Sequence, residues 1–194
     1  MKIDTKFIIE ASVIYAALSA AFSVIGIFFV PERTLLPNPL TNGSFNVEEV
    51  IVHIIWGLIA CAVTLRLKYF LLGGLFAVLV DSDHLVNLLK IEALSRMSHS
   101  ITFGIISVLI MMLVFGRKDL LLGATAFAAL LSHMSYDIFV DDTNFPLFTP
   151  FYNGSMPFHR TDWIFFEIAA VLIMIVATII VRRQEVKRSK MIDT

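Results

Sequence analysis

The sequence predicts an all-α, polytopic membrane protein with about six transmembrane helices. Three observations carry that expectation. Hydrophobic residues make up 58% of the 194 residues, giving a mean hydropathy of +0.84 that no ordinary soluble domain of this size needs. Long apolar runs alternate with short polar connections. The cations collect on alternate connections, as the membrane insertion rules require.

In chain order the predicted spans are Phe7–Val30, Glu49–Leu65, Tyr69–Leu89, His99–Phe115, Leu120–Val140 and Trp163–Val181. At a rise of about 1.5 Å per residue each can cross a core of roughly 30 Å, the second and fourth being on the short side. The first could be read as a signal peptide after Met1-Lys2. Its apolar stretch is too long for that, so an anchor is expected. Arg66-Leu67-Lys68 and Gly116-Arg117-Lys118-Asp119 read as tight turns. Longer connections run through Pro31–Val47 and Asp141–Asp162, with a short polar one at Lys90–Ser98. Gly73-Gly74 reads as close helix packing. Phe145–Tyr152 is aromatic-rich and reads as an interfacial belt. No repeat or soluble linker is visible, so residues 1–194 read as a single membrane-embedded domain.

An even number of spans puts both termini on one side. That side holds Lys2, Lys6, Arg66, Lys68, Arg117, Lys118, Arg182, Arg183, Lys187, Arg188 and Lys190, against Arg33, Lys90, Arg96 and Arg160 on the other. The expected localisation is therefore the cell membrane, multi-pass, with cytoplasmic termini. Both sequons, Asn42-Gly43-Ser44 and Asn153-Gly154-Ser155, then face outward. Cys61 is the only cysteine, which excludes an internal disulfide.

All five histidines, His53, His84, His99, His133 and His159, fall near the outer end of a span or in an outer loop. In the third span Asp81, Asp83 and His84 come roughly 18–22 Å along the helix, which recesses them below the surface. His133 and Asp137 are i,i+4 neighbours, and Asp81 and His84 are i,i+3. Taken singly, each has a plain reading: His53 an interfacial hydrogen-bonder, Asp81-Ser82-Asp83-His84 a polar span end, His133 with Asp137 an interhelical pair. Taken together they point to a metal. Asp81, Asp83 and Asp137 are untenable as neighbouring carboxylates in a low-dielectric crevice without cations. Two divalent ions would leave the pocket positive and attractive to phosphate. Mixed imidazole and carboxylate ligands favour zinc, with manganese or iron next.

At these residues the chain resembles the YdjM-like family of membrane-bound, metal-dependent hydrolases (LexA-binding, inner-membrane-associated hydrolases). His53 stands for that family's early histidine and Asp81-Ser82-Asp83-His84 for its Asp-x-Asp-His. Ser98-His99-Ser100 matches the end of its His-Arg-x-x-Thr-His-Ser segment, and Ser132-His133 with Asp137 its Ser-His-x-x-x-Asp. Pro146-Leu147-Phe148-Thr149-Pro150 matches its Pro-Leu-x-x-Pro loop, so the likeness covers about residues 50–151. The first histidine of the third family element falls on Leu94, its arginine falls on Ser95, and the stretch between Asp137 and Thr143 is longer. A missing histidine implies a lower metal count, a substitute ligand such as His159, or a non-catalytic member.

The resemblance implies kinship with zinc-dependent phospholipase C and helical single-strand nucleases. The expected function is hydrolysis of a phosphoester on a lipid or lipid-linked, amphiphilic substrate by metal-activated water, with one or two ions. The expected catalytic set is Asp81, Asp83, His84, His99, His133 and Asp137. The expected metal ligands are those six with His53, and His159 as a further candidate. Membrane lipids are the expected partners and nucleic acid is not. A transporter or a metal-binding membrane protein is the alternative; a transporter sets its ligands near the midplane, commonly in broken helices.

Overall fold

The computed structural model describes residues 4–29, 46–88, 91, 94, 96–116 and 119–192. These residues are mostly helical. The helices are α1 (Thr5–Phe29), α2 (Val47–Cys61), α3 (Leu67–Leu79), α4 (Ser82–Leu88), α5 (Ile101–Phe115), α6 (Leu120–Val140) and α7 (Trp163–Ile192). Between α6 and α7, β1 (Thr143–Phe145) pairs antiparallel with β2 (Met156–Phe158), Thr143 opposite Phe158. Three helical stretches, Thr5–Phe29, Val47–Thr64 and Arg160–Met191, are long and apolar enough to cross a membrane. Most of the predicted connection at 31–45, with its sequon, lies outside the described residues, as do Lys90, Ser95, Arg117 and Lys118.

The bundle is organised around α6. Fifteen of its 21 residues are buried, whereas only 22% of the most apolar window of α1 or α7 is. Its run of Gly123, Ala124, Thr125, Ala126, Ala128 and Ala129 keeps its girth small, so neighbouring backbones can close in. Tyr15 of α1 donates a buried hydrogen bond to the Ala126 carbonyl (3.1 Å), and its ring stacks on Phe76 of α3 with centroids 4.3 Å apart. On the opposite side, Trp56 Nε1 donates to Ser135 Oγ (3.3 Å), which donates to the Trp163 carbonyl (3.0 Å), joining α2, α6 and α7. The outer faces stay apolar. Val13, Phe28, Leu109, Leu113, Phe165 and Leu172 are all more than half exposed, a surface that suits lipid and not water.

Two predicted spans differ in detail. The expected Tyr69–Leu89 helix is two helices, because the chain turns at Val80–Asp81 before α4 begins. Ser19 of α1 donates to the Val80 carbonyl and Ser82 Oγ donates back to Leu79 O (2.7 Å). Short polar side chains thus take up carbonyls that a continuous helix would use. The turn between α2 and α3 lies at Leu65–Arg66, slightly earlier than Arg66-Leu67-Lys68. Thr64 Oγ1 donates to Cys61 O (3.0 Å) and accepts from Arg66 N (3.2 Å), while Leu65 adopts a left-handed φ of 53°. The last helix continues to Ile192, past the expected Val181.

α2 and α3 approach closely enough that glycine is required at the crossing. A Cβ on Gly57 would lie 2.3 Å from the Gly73 carbonyl oxygen, and one on Gly73 would lie 2.5 Å from Cys61 Sγ. This contact fixes the level of His53, one turn earlier on α2. Gly57→Val should lower stability by about 3 kcal/mol, the upper range for overpacking. The change would be read as a fall in the thermal midpoint in detergent, and an unchanged midpoint would show that the helices can part without loss.

Candidate metal centre

Five segments converge at the end of α6 that carries its polar residues. α2 starts at an Asn46 cap, whose carboxamide accepts from Glu48 N (3.0 Å), with Glu48 and Glu49 favourably placed in the first turn. Its buried face presents His53. The turn after α3 presents Asp81, and α4 presents Asp83 and His84. The loop before α5 presents His99, one residue ahead of the Ser100 cap that accepts from Phe103 N (3.1 Å). The last two turns of α6 present His133 and Asp137.

Asp81 Oδ1 and Asp137 Oδ2 approach the same two imidazole nitrogens. His99 Nε2 and His133 Nε2 are 2.9 Å apart. Asp81 Oδ1 lies 3.4 and 3.5 Å from those two nitrogens, and Asp137 Oδ2 lies 3.5 and 3.6 Å from them. With bonds of about 2.0–2.2 Å, the edges of a tetrahedral zinc site are on the order of 3.3 Å. Two further groups flank this one. His53 Nε2 is 3.4 Å from Asp137 Oδ1, and its ring stacks on His133 with centroids 3.9 Å apart. His84 Nε2 is 3.8 Å from Asp81 Oδ1 and 3.9 Å from Asp83 Oδ1. Asp81 and His133 each belong to two of the three possible ligand groups.

Hydrogen-bond chemistry shows whether this donor set fits a cation. His133 Nδ1 is 2.7 Å from the Ala77 carbonyl, which can only accept, so the ring proton sits on Nδ1. That leaves the Nε2 lone pair aimed into the centre, the second-sphere arrangement that orients a ligating imidazole. Asp83 is fully buried, with Oδ2 accepting from Ser23 (2.9 Å) and Ser98 (3.4 Å), while Oδ1 has no hydrogen-bond partner and faces His84. His53 Nδ1 and His84 Nδ1 are also buried without a hydrogen-bond partner. Three carboxylates and four imidazoles lie within this space, and among the described residues no lysine or arginine forms an ion pair with any of the three carboxylates. A group so rich in acceptors and so poor in donors fits a divalent ion. The buried His and Asp groups could hold a metal.

The open side is also defined. Asp81 is the most accessible of the carboxylates, at 34%, while His133 and Asp83 are at 0%. A cavity of about 160 Å³ reaches the site there, with His53, Asp81 and His84 in its lining. Val50, Val78, Leu79 and Leu85 line the same cavity, so its lining combines polar and apolar surfaces.

Seven of the eight residues expected as ligands are brought together: His53, Asp81, Asp83, His84, His99, His133 and Asp137. His159 is not among them. Its side chain is 79% exposed, paired with Asp142 at 3.6 Å, and it caps the turn leading into α7. His159 therefore lies outside the cluster. Leu94 fills an apolar niche with Met97 against Phe22 and Ile27, and its N–H donates to Ser23 O (3.1 Å). Phe145, expected in an interfacial belt, is fully buried and stacks on His99 (centroids 5.7 Å apart), with the Arg96 guanidinium carbon 5.4 Å from its ring centroid.

The sequence reading missed the supports on α1. Ser19 and Ser23 repeat at i,i+4 with the buried Ala11 and Tyr15 along α1, a stripe that marks the face turned to the site. The Pro146–Pro150 loop fastens the His99 segment: Leu147 O accepts from Ile101 N (2.9 Å), and Thr149 Oγ1 donates to Met97 Sδ (3.4 Å). Compared with family models, with curated proteins and with solved structures, the chain matches none of them.

Elemental analysis of purified protein checks the ligand set. Asp81→Ala and His133→Ala should each lower transition-metal content at least tenfold, and His159→Ala should leave it unchanged. Equal metal in all three variants would remove the cluster as the binding site.

Proposed function

We propose that the chain is a polytopic membrane hydrolase that uses one or two divalent transition-metal ions, zinc first, to cleave a phosphoester in an amphiphilic substrate. The observation that carries this reading is the convergence of His99 Nε2, His133 Nε2, Asp81 Oδ1 and Asp137 Oδ2 beside a cavity with both polar and apolar walls. Such a cavity suits a polar headgroup whose tail remains in lipid. The likeness to the YdjM-like hydrolases, carried by Asp81-Ser82-Asp83-His84, Ser98-His99 and Ser132-His133 with Asp137, supports the same reading.

His99, His133, Asp81 and Asp137 would hold the first ion, with Asp83 and His84, or His53, completing a second. A bound divalent ion supplies Lewis acidity there, polarising a phosphoryl oxygen and bringing the pKa of water towards neutrality. The chain's own groups do the rest. The Ala77 carbonyl holds the His133 ring in the tautomer that leaves Nε2 free, and Ser23 and Ser98 hold Asp83. His53 and His84 line the cavity, where an imidazole can give a proton to the departing oxygen. Val50, Val78 and Leu79 exclude water from one side of the substrate.

In this reading the six predicted spans cross the membrane, with the termini in the cytoplasm and the centre recessed on the outer side. The eleven-to-four division of lysine and arginine supports it. In a Cys61→Ser background, Asn153→Cys should react with an impermeant maleimide from outside intact cells and Lys118→Cys should not. The reverse pattern would move the centre to the cytoplasmic side.

Turnover on lipid-like phosphomonoesters and phosphodiesters tests the chemistry. Activity should require metal, disappear on chelation, return with zinc and be lost by at least about a thousandfold in Asp137→Ala, consistent with the loss of a metal-held nucleophile. One observation favours transport as a second reading: the third predicted span is broken at Val80–Asp81, next to ligand residues, as transporter helices are. Metal-loaded protein that is inert on every phosphoester but carries zinc into liposomes would decide for transport.

A further inference from the structure

A second polar cavity lies at the far end of the bundle. Asp119 and Leu120, at the start of α6, line it, about 20 Å along that helix from His133. Its volume is about 290 Å³, and its polar lining is Arg66, Tyr69, Asp119, Gln184, Glu185 and Arg188. Both carboxylates are already engaged. Glu185 takes Arg66 Nη2 on its two oxygens at 2.6 and 2.7 Å. Asp119 accepts from Tyr69 OH (2.7 Å) and Leu122 N (3.0 Å), with Lys68 Nζ 3.8 Å from its other oxygen. Arg188 has no ion pair among the described residues.

Depth in the membrane suggests what fits. The apolar part of α7, residues 163–181, is about 28 Å long, close to the thickness of a bilayer core. α7 continues as one helix to Ile192, so residues 182–190 emerge at headgroup level. Val181, Gln184, Glu185 and Arg188 share the face turned to the cavity, while Arg183, Lys187 and Lys190 form a stripe displaced from it. Leu120, Leu121 and Val181 line the cavity beside the guanidiniums. That combination is wrong for a free anion, which would gain nothing from the apolar wall, and right for a phosphate attached to a glycerol and its chains.

We propose that this cavity binds the headgroup phosphate of an anionic phospholipid, held by Arg188 and by the part of the Arg66 guanidinium not given to Glu185. Arginine suits the task because its fork presents paired donors to phosphate oxygens. The site is independent of the metal centre and of any hydrolysis there; it requires only that α7 cross the bilayer.

The test uses the full chain in vesicles of phosphatidylcholine with and without phosphatidylglycerol, followed by native mass spectrometry of the released protein. Wild type should retain phosphatidylglycerol. Arg188→Gln should lower retention about tenfold, the size expected for one charge-assisted contact. Gln184→Glu, which adds a repelling charge and removes no arginine, should lower it as well. The double variant Arg183→Gln/Lys187→Gln, altered on the displaced stripe, should stay within about twofold of wild type. Metal content should not move in any of them. Unchanged retention in Arg188→Gln, or an equal loss in the double variant, overturns the site in favour of a diffuse basic surface. Displacement of the lipid by millimolar inorganic phosphate would instead make it a soluble-anion site and overturn the lipid assignment.

Discussion

Three carboxylates in an apolar bundle are the constraint to which the rest of the site answers. Asp83 has no exposed surface, and Asp81 and Asp137 share their surroundings with it and with four imidazoles. Charges in such a place demand partners, because removal from water costs several kcal/mol per ion even after relaxation. The chain meets part of that demand with hydroxyls. Ser23 and Ser98 donate to one Asp83 oxygen, which fastens α1, α4 and the segment before α5 at a single point. The remainder is left to imidazole nitrogens, among which His133 Nε2 turns its lone pair inward. Such a cluster is coherent with a cation at its centre and is poorly compensated without one.

That constraint also accounts for the departure from regular helix. A continuous Tyr69–Leu89 span would satisfy its backbone internally and keep Asp81, Asp83 and His84 on the regular spacing of a single helix. The turn at Val80–Asp81 lets Asp81 meet His99 and His133 while Asp83 turns to Ser23 of α1. Ser19, which takes the Val80 carbonyl, supplies a partner for backbone that the break sets free. In lipid such a break is tolerated only where protein covers it, and α1 is that cover.

Much of the site was legible because its spacings are local. His133 and Asp137, four residues apart on one helix, had to share a face, and the Asp81–His84 run had to lie at one level of the bundle. The fold class followed from apolar content for an equally direct reason. What was hidden depends on contacts distant in sequence or on backbone that defeats periodicity. The continuous span through Leu89 set aside the plain reading of Asp81-Ser82-Asp83-His84 as a polar span end, which is the reading that lies beside the break at Val80. Ser19 and Ser23 look like ordinary small residues of a membrane helix until the partner across from them is known. Phe145 read as one more interfacial aromatic, although it is the platform under His99. His159 was drawn into the ligand set by its residue type, while its neighbours Asp142 and Asp162 make it a helix cap.

α6 resolves an apparent contradiction between composition and position. It has 21 residues, yet it is not one of the three helical stretches that composition alone would place across a membrane. Ser132, His133, Ser135, Tyr136 and Asp137 dilute its last turns, and Gly123, Ala124, Ala126, Ala128 and Ala129 lie in its first half. Both features follow from being central. A helix surrounded by others needs small residues so that they can approach, and its polar side chains reach partners instead of lipid. The helices around it carry the opposite burden, an apolar outer face with a narrow inner stripe of serine, tyrosine or histidine. Low hydropathy in this helix therefore reflects its enclosure: the exposed apolar surface is supplied by α1, α2, α5 and α7, and α6 carries His133 and Asp137 of the cluster.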